Sequence, residues 1–417
     1  MSTTAAESSP GKLSGQLQGA TFLGYPRERG GPGVRNHLAV VSTVALSNRV
    51  AELAAQHYEK TQRATSSTAN GEGDAVLRVM GEFQRGLQNA DARLQDDVLA
   101  SLVAHPNIGA ALVLCHDRRA AKAWQQKLAS VGKPVEVLAV MDSQGMQRAV
   151  ELASAALQRL AQPLRAVQRV PCPFSTLAFA LECGGSDASS AVCANPAIGR
   201  FVDAALEAGA TVIISETAEF IGGEEVVRVQ SASPEVAQAI IDRIAVTEAR
   251  MAGDGDHCRG VNPTAENIEG GLTTLVEKTM GAVCKIGTSR FAGCLDFGQA
   301  PPAPGLYFMD TPFFSPCSIT GMVAAGAQIT LFAMGVFNPS GNPLAPTLKI
   351  CGNPDTVRHW ADCIDVDLTK LLQGEITLDS AGEQVAHAVS RTAAGAITRT
   401  EGWGEGQFIV PRMLPTF

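Results

Sequence analysis

Short apolar segments rich in β-branched residues alternate along the chain with longer segments whose apolar residues recur at helical spacing. The short segments predict β-strands at residues 38–44, 110–115, 135–140, 176–181, 211–215, 305–309, 329–333 and 347–351. The longer segments predict helices at residues 47–59, 145–160 and 235–251. Because strands that are separated by helices usually form βαβ units, the pattern predicts an α/β fold with mainly parallel sheets flanked by helices.

The length of the chain and a group of prolines predict two lobes. A single hydrophobic core rarely grows beyond roughly 250–300 residues, and this chain has 417 residues. Pro163, Pro171 and Pro173 interrupt a polar connection over residues 162–173, which is typical of a boundary between units. We therefore expect a flexible polar tail over residues 1–22, an N-terminal α/β lobe over 23–165 and a C-terminal α/β lobe over 166–417 that carries most of the site.

The balance of charge excludes several classes of function. The formal net charge is −8 and no basic stripe compensates for it, which argues against a protein that binds nucleic-acid phosphates. No apolar run is long enough to span a bilayer, and residues 1–20 do not resemble a secretory signal. Ten cysteines without close pairs fit reduced thiols. We expect a cytoplasmic enzyme that acts on a small anionic substrate.

The glycine-rich segment at residues 30–33 does not indicate a nucleotide site. It precedes the first predicted strand, whereas the glycines of a dinucleotide-binding motif follow a strand and open a helix. The sequence also contains no phosphate-loop pattern and no GxSxG, HExxH or CxxC motif. It therefore predicts no nucleotide cofactor.

Polar residues follow two strands of the predicted C-terminal lobe. The first strand leads into a turn that contains Cys183, Gly184, Gly185, Ser186 and Asp187. The second strand ends at Ser215, Glu216 and Thr217. If the two strands are parallel neighbours, both groups lie at the carboxyl edge of one sheet, where open α/β sheets bind ligands. The alternative is that Ser186, Asp187 and Ser215 only cap helices and satisfy turns.

Two predicted helix starts lie near these strands. Asn195 is a typical N-cap residue, and Pro196 suits the first position of a helix that runs towards Gly209. A second helix follows Gly270 and Gly271 at the end of a long loop over residues 253–271. A helix start led by glycine offers free N–H groups to a carboxylate, so the second start is a candidate substrate contact. Asn195 is a candidate because it follows the turn after the first strand.

The second of these helices also carries candidate cations. Thr273 precedes a predicted capping box formed by Thr274 and Glu277. Lys278 and Lys285 lie two turns apart on nearly the same face and could balance a substrate carboxylate. The alternative is that both lysines are solvated at the surface, which is the commoner position for helical lysines.

Three further residues are candidates on weaker grounds. Asp310 follows a predicted strand and is either a base or a turn residue before Pro312. Arg35, next to Asn36, could bind a carboxylate with its two-pronged guanidinium, or could equally form exposed ion pairs. Residues 335–346 form a loop rich in Gly, Pro and Asn that either covers a site or only connects two strands.

Taken in order along the chain, several stretches together resemble the altronate/galactarate dehydratase family. They are GYPRERGGPGVRNHLAVVSTV, HPNIGAALVL, CGGSDASSAVCANPAIG, ISETAEFIGGEE, GGLTTLVEKTMGAVCKIG, FMDTP and PLAPTLKICGNPDTV. The resemblance extends over nearly everything from Gly24 to the C-terminus, and the run KICGNPDTV…IDVDLTKLL at residues 349–372 is most similar to the branch of sulfolactate sulfo-lyase large subunits. It implies a lyase that removes water, or sulfite in that branch, from a hydroxy acid by β-elimination.

The resemblance also implies a divalent metal, iron or manganese. The oxygen and sulfur groups at the predicted strand ends are the available ligands and bases for β-elimination. We expect the metal between the two lobes, bound by Cys183, Glu216 and Glu219 with Asp187 nearby. The expected catalytic residues are Asp187, Glu216, Lys278 and Asp310. The expected substrate-binding residues are Arg35, Asn36, Gly184, Gly185, Ser186, Asn195, Thr217, Gly270, Gly271 and Thr273. An iron–sulfur cluster is an alternative, although the spacing of Cys183 and Cys193 matches no standard cluster pattern.

Three regions depart from the family pattern. Members usually carry a motif of His, Gly and Cys after the first helix and a Gly-Cys-Glu turn later, where this chain has ATSSTANGEGD at 64–74 and LCHDRRA at 114–120. Glu225 replaces a histidine after the two glycines at 222–223. His116, Asp117 and Glu225 are the residues available as substitutes. These departures leave open a second hypothesis, that the chain is a sugar-acid-binding or scaffold subunit without catalysis.

The resemblance finally predicts partners. Single-chain members place a compact β-rich domain before the segment that corresponds to residues 24–44, and the sulfo-lyase branch encodes that domain as another polypeptide. We therefore expect a separate small β-rich subunit, and we also expect the chain to form a homo-oligomer.

Overall fold

A computed structural model describes residues 11–65, 75–252 and 262–414 of the chain. The strands within these ranges are β1 (Thr21–Gly24), β2 (His37–Ser42), β3 (Val76–Val79), β4 (Ile108–Cys115), β5 (Val135–Ala139), β6 (Val170–Pro173), β7 (Ala178–Gly184), β8 (Thr211–Ile214), β9 (Phe291–Leu295), β10 (Gly305–Met309), β11 (Ile329–Met334), β12 (Thr347–Cys351) and β13 (Val366–Asp367).

Helices connect most of these strands. They are α1 (Gly11–Leu17), α2 (Asn48–Thr65), α3 (Asn89–Ala104), α4 (Arg118–Lys127), α5 (Met146–Ala166), α6 (Asn195–Glu207), α7 (Glu224–Val229), α8 (Pro234–Met251), α9 (Ala265–Glu269), α10 (Leu275–Val283), α11 (Ser315–Ala324), α12 (Pro354–His359), α13 (Thr369–Leu372), α14 (Leu378–Ala393) and α15 (Arg399–Trp403). In the described part of the chain, no helix is long and apolar enough to cross a membrane.

Most of the strands form two parallel sheets. A four-stranded sheet has the order β3-β2-β4-β5, and a seven-stranded sheet has the order β13-β12-β11-β7-β8-β10-β9. All neighbouring strands within both sheets are parallel. The α/β prediction with parallel sheets is therefore confirmed.

The order of the larger sheet determines where the candidate site lies. β7 pairs with β8, and Leu181 lies opposite Ile214. Because both strands run in the same direction, the turn after β7 and the turn after β8 emerge at the same carboxyl edge. β7 and β8 are therefore the parallel neighbours that the predicted site requires. β10 places the segment after Met309 at the same edge.

One hydrophobic cluster is shared by the two sheets. Val41 and Val113 of the four-stranded sheet belong to the same buried cluster as Ile213 and Phe332 of the seven-stranded sheet, with Leu99 of α3 in the same cluster. Burial of apolar side chains stabilises a fold by roughly 25 cal/mol per Å², so this contact joins the two sheets tightly. The boundaries of the two lobes remain predictions.

Part of the segment predicted as a flexible tail is ordered. Residues 11–17 form α1, which packs against α6, and Leu17 and Phe22 are buried in the core of the seven-stranded sheet. β1 pairs with β6 in an antiparallel ribbon. Residues 11–22 therefore pack onto the fold, because two apolar side chains in this segment contribute to a core that is formed by distant residues.

Candidate functional site

A pocket of about 310 Å³ lies at the carboxyl edge of the seven-stranded sheet. Its walls come from the turns after β7 and β8, from α9 and α10, and from the segments after β10 and β11. The lining residues are Cys183, Gly184, Gly185, Ser186, Glu216, Glu219, Thr264, Glu266, Asn267, Lys278, Phe313, Phe314, Ser315, Val336, Phe337 and Asn338. The predicted residues Cys183, Gly184, Gly185, Ser186, Glu216, Glu219 and Lys278 thus come together here.

A larger cavity of about 590 Å³ lies elsewhere, between α3 and residues 406–412. None of the predicted site residues lines it. Volume alone is a weak guide to function, whereas convergent polar groups with perturbed pKa values are a stronger one. We therefore take the smaller pocket as the candidate site.

Four buried residues form a charge cluster at the bottom of this pocket: Cys183, Glu219, Lys278 and Lys285. Lys285 Nζ lies 2.8 Å from Cys183 Sγ and 3.2 Å from Glu219 Oε2. Lys278 Nζ lies 3.8 Å from Glu219 Oε1. The Cys183 thiol lies 3.1 Å and 3.2 Å from the two Glu219 oxygens. The cluster therefore pairs one carboxylate with two ammonium groups away from water.

Local sequence explains why these side chains meet. Glu219 lies on a short 3₁₀ turn immediately after β8. α10 begins at a capping box formed by Thr274 and Glu277, as predicted, and packs against that turn. Lys278 on α10 and Lys285 on the short 3₁₀ turn after it therefore reach Glu219, and both are buried. The alternative of two solvated surface lysines is wrong.

The cluster holds Glu219 in its ionised form. Burial opposes ionisation of this carboxyl, but the ammonium groups of Lys285 and Lys278 outweigh it and lower the pKa of Glu219 below its usual value. Burial likewise acts against the charge on Lys285, but Cys183 and Glu219 raise its pKa above the usual value. Burial raises the pKa of Cys183 to about 12, so its sulfur remains a thiol near neutral pH.

Glu216 has the opposite protonation state. Burial and the nearby carboxyls of Glu182 and Glu219 raise the pKa of Glu216 well above its usual value. Its backbone is left-handed, with φ 63° and ψ 75°, and its N–H donates to Thr311 Oγ1 at 2.8 Å. A left-handed glutamate is strained, and such strain is concentrated at functional sites.

Glu182 is a site residue that the sequence analysis missed. It is buried within β7, its Oε2 accepts a hydrogen bond from Ser318 Oγ at 2.6 Å, and burial raises its pKa to about 7. Its other oxygen, Oε1, is buried without a hydrogen-bond partner among the described residues, and the nearby Lys285 ammonium acts against the effect of burial on the pKa of Glu182. The signal in the sequence was a glutamate within an apolar strand, since an unpaired buried charge is unfavourable.

Arg35 does not bind substrate in this arrangement. Its Nε and Nη2 donate to the two carboxylate oxygens of Glu401 at 2.7 Å and 2.8 Å. The remaining N–H groups donate to the backbone carbonyls of Val34, Thr392 and Ala396. Because every donor of this buried guanidinium is used, the geometry does not favour a substrate clamp, and that role stays a prediction. Its neighbour Asn36 donates to Leu164 O at 3.3 Å, and it does not line the pocket either.

Asp187 acts as a cap. Its Oδ1 accepts hydrogen bonds from Ser189 Oγ and from the backbone N–H of Ser190, at 2.7 Å and 2.8 Å. Its Oδ2 accepts from Asn353 Nδ2 at 2.7 Å. The carboxylate is buried and does not line the pocket, so the geometry favours the structural alternative over a catalytic role.

We expect Asp187→Asn to lower the free energy of unfolding by about 1–2 kcal/mol, because the new amide faces the Asn353 donor and loses that bond. Urea unfolding measures the change. Asp355→Asn on the exposed first turn of α12 is the matched control and should change stability by less than about 0.5 kcal/mol. An unchanged stability together with abolished turnover would restore the catalytic assignment.

Asp310 and Thr217 brace the turn after β8 from outside the pocket. Thr217 Oγ1 donates to Asp310 Oδ1 at 2.6 Å, and Arg243 Nη1 donates to Asp310 Oδ2 at 3.3 Å. Neither residue lines the pocket. The geometry therefore does not favour Asp310 as a catalytic base, and both residues hold the strained segment that carries Glu216.

The predicted contacts at the helix starts are structural as well. A π-helical turn over Ser190–Ala194 precedes α6, so Asn195 is not an N-cap, and its Nδ2 donates to Gly281 O at 2.9 Å. A Cβ on Gly270 would lie 2.8 Å from Asp187 Cβ, so this glycine permits close packing. Gly271 has φ +96°, and Thr273 Oγ1 donates to Glu277 at 2.8 Å. None of the four lines the pocket.

The donor set expected to hold a metal does not fit one in this arrangement. The Lys285 ammonium lies against both Cys183 and Glu219, in the position that a cation bound by these two residues would take. Across the described ranges, with residues 66–74 and 253–261 outside them, no three His, Cys, Asp or Glu residues are arranged as a metal site. We therefore assign no ligands, and the iron or manganese ion stays a prediction.

The residues available as substitutes for the missing family motifs lie away from the pocket. Asp117 caps α4 by accepting the N–H of Ala120, and Glu225 is exposed and pairs with Arg228. His116 follows β4 of the other sheet. Residues 66–74, which hold most of the first departure, lie outside the described residues.

Comparisons with known proteins cover nearly the whole chain. The family model described as "D-galactarate dehydratase/Altronate hydrolase, second domain" matches residues 24–165, and "D-galactarate/Altronate dehydratase, C-terminal" matches residues 174–416. The (2R)-sulfolactate sulfo-lyase subunit beta of Chromohalobacter salexigens is 35% identical over 407 residues, which is 95% of this chain and 99% of that protein.

Two altronate dehydratases are also similar to the chain. The protein of Bacillus subtilis is 29% identical over 91% of this chain and 75% of its own length. The protein of Escherichia coli is 30% identical over 84% of this chain and 70% of its own length.

Proposed function

Because the chain belongs to the D-galactarate/altronate dehydratase family, we propose that it removes water from a sugar acid or a related hydroxy acid by β-elimination. Dehydratases of this family are hydro-lyases, so the chain is an enzyme of that type. The observation that carries the proposal is the presence in one pocket of a neutral carboxyl at Glu216, an ionised carboxylate at Glu219 and a lysine at Lys278.

The two carboxyl groups suit the two proton transfers of an elimination. The reaction removes a proton from the carbon next to the substrate carboxylate and adds one to the departing hydroxyl. Where two environments drive pKa values in opposite directions, the ionised group suits the base and the protonated group suits the acid. We therefore propose Glu219 as the general base and Glu216 as the general acid.

Lys278 supplies the positive charge that the developing enolate needs. Its Nζ is held 3.2 Å from Asn267 Oδ1 and 4.2 Å from the centre of the Phe313 ring. A buried ammonium that is fixed in this way stabilises negative charge more strongly than one in water. We propose that it binds the substrate carboxylate, while Lys285 keeps Glu219 ionised from behind.

The upper part of the pocket suits a hydroxylated chain that must be shielded from water. Phe314, Val336 and Phe337 provide apolar walls, and Asn338 and Ser315 provide polar groups between them. Gly184 and Gly185 let the segment after β11 pack closely against this turn, because a Cβ on either glycine would clash with Asn338 or Val336. A ligand of several carbons with hydroxyl groups is therefore the best fit.

Sulfite release is the second candidate, favoured by the relative that is similar along almost its entire length. The two reactions differ in their need for an acid, because hydroxide is a poor leaving group and sulfite departs as a stable anion. A neutral Glu216 in the pocket favours loss of water.

The name of that relative, a subunit beta, supports an assembly with another kind of chain. We propose that this chain also works with a separate small β-rich subunit. The homo-oligomer remains a prediction.

The test is turnover by the chain as purified from its native host together with any small subunit that accompanies it. We expect a keto acid, without sulfite, from altronate or galactarate, and (2R)-sulfolactate is offered in parallel with a sulfite assay. Each assay is run after chelation and again with added Fe²⁺ or Mn²⁺, which tests the predicted metal. If sulfite release from sulfolactate is the only reaction observed, the sulfo-lyase reaction replaces dehydration as the proposed function. Binding of these acids without any turnover would favour the scaffold hypothesis.

A further inference from the structure

Lys349 is a buried lysine that the proposed chemistry does not use. It lies on β12, behind the wall of the pocket, and is only 2% exposed. Its Nζ donates to the backbone carbonyls of Asn338 and Ser340, at 2.9 Å and 2.5 Å. Both acceptors belong to the segment after β11, so the ammonium fixes this segment from below.

The other face of the ammonium is covered by an aromatic ring. Nζ lies 3.3 Å from the centre of the Phe332 ring, and Phe332 is the cross-strand partner of Lys349 on β11. Phe332 also pairs with Glu182 on β7, so the ring separates the lysine from that carboxyl. A cation that is taken out of water onto a ring gains cation–π attraction that is strongest when desolvated.

Few charges compensate Lys349 directly. Burial lowers the pKa of Lys349 to about 7, while Glu182, Asp365, Glu405 and Cys363 act in the opposite direction. A buried lysine at this position lowers the stability of the fold unless its contacts compensate for the lost hydration of the amine. The two carbonyls and the ring are these contacts.

The segment held by Lys349 is a wall of the candidate site. Val336, Phe337 and Asn338 line the pocket. The N–H of Val336 donates to Gly185 O at 2.7 Å. A Cβ on Gly184 would clash with the side-chain amide nitrogen of Asn338, so the glycine permits this close packing. The wall is therefore fastened on the pocket side by glycines and on the far side by Lys349.

Phe337 provides a natural reporter of this wall. Its ring stacks on Trp360 with the centroids 3.8 Å apart and the planes 6° from parallel. Trp360 is 43% exposed, so its environment depends on whether Phe337 stays in place. The chain has three tryptophans, and the other two are Trp124 and Trp403.

We propose that Lys349 is a positioning residue, whose Nζ holds residues 336–340 as the wall of the candidate site through its hydrogen bonds to Asn338 O and Ser340 O. Only the kinetic part of the test rests on the proposed function. Because Lys349 does not touch the pocket, its loss should disturb substrate binding more than the chemical step.

The test compares Lys349→Met with Lys133→Met in a background that carries Trp124→Phe and Trp403→Phe. Lys133 is the matched control, because its Nζ also donates to backbone carbonyls, those of Ala104, His105 and Ile108, but far from the pocket. Acrylamide quenching of Trp360 fluorescence reports whether residues 336–340 stay in place. KM and kcat are measured with altronate as the substrate. If Lys349→Met fails to fold, Lys349→Gln with hydrogen exchange of residues 336–342 replaces it.

We expect Lys349→Met to raise the quenching constant of Trp360 about twofold. We also expect it to raise KM about tenfold with kcat nearly unchanged. Lys133→Met should change neither. Equal quenching in the parent and in Lys349→Met, or equal exchange for Lys349→Gln, would overturn the proposal. Fluorescence quenching needs no turnover. A chain that acts on none of the acids would therefore refute the proposed function, and the quenching result alone would decide the role of Lys349.

Discussion

Glu216→Gln is expected to lower kcat by about 10³-fold while the protein stays folded. Burial and the carboxyls of Glu182 and Glu219 keep Glu216 neutral, so a neutral amide of the same shape replaces it without a new buried charge. The amide cannot supply the proton that a leaving hydroxyl needs. Stability should therefore change by less than about 1 kcal/mol, as measured by urea unfolding.

The pH dependence of the free energy of unfolding gives a second measure of the protonation of Glu216. A carboxyl with a raised folded-state pKa contributes stability that is present in full below its unfolded pKa and is lost as pH rises through the folded value. The wild type should therefore lose stability on the alkaline side, and Glu216→Gln should lose less.

The matched control is Glu225→Gln, which changes an exposed glutamate a few residues further along the chain and should leave kcat within about twofold. A Glu216→Gln variant that retains more than about a tenth of kcat would refute the role of general acid. Loss of water elimination with sulfite release unchanged would point to the sulfo-lyase reaction instead.

Lys285→Met is expected to lower the free energy of unfolding by about 3–5 kcal/mol. The change removes the ammonium closest to Glu219 and leaves that carboxylate buried, with Lys278 at 3.8 Å as its remaining cation. Removal of one partner from a buried pair is costly because the other charge loses its compensation. Urea or thermal unfolding measures the loss.

Two further variants test the cause of this loss. Lys12→Met breaks a lysine–glutamate pair with Glu383 at the surface and should cost less than about 1 kcal/mol. Adding Glu219→Gln to Lys285→Met removes the uncompensated charge, so the double variant should be more stable than Lys285→Met alone. If it is less stable, packing rather than charge explains the effect of Lys285.

The sequence predicted the larger features of the fold well because they follow from local patterns. Strands β4, β10, β11 and β12 lie where apolar runs predicted them. β7 extends to Gly184, three residues beyond its prediction, because pairing with β11 continues through the glycine. The two-residue strand β13 has no local signal of its own and exists only because β12 pairs with it.

The sequence predicted the pocket's position better than the role of each side chain. It found the turns after β7 and β8, because strand ends and glycines are visible locally. It could not distinguish a free carboxylate from one that is already bonded. Arg35 meets Glu401 across 366 positions, and Asp187 meets Asn353 across 166. Such long-range partners occupy side chains that otherwise look available.

The shared core limits how this chain can be recombined with its relatives. Leu99 of α3, Ile213 of β8 and Phe332 of β11 belong to one buried cluster, although the two family regions divide them. A chimera that takes residues 24–165 from another member would bring only one half of this packing surface. The two halves have to be complementary in volume, since cores tolerate exchanged side chains best when total volume is conserved. Substrate preference can therefore be transplanted more safely with the loops of the pocket than with whole regions.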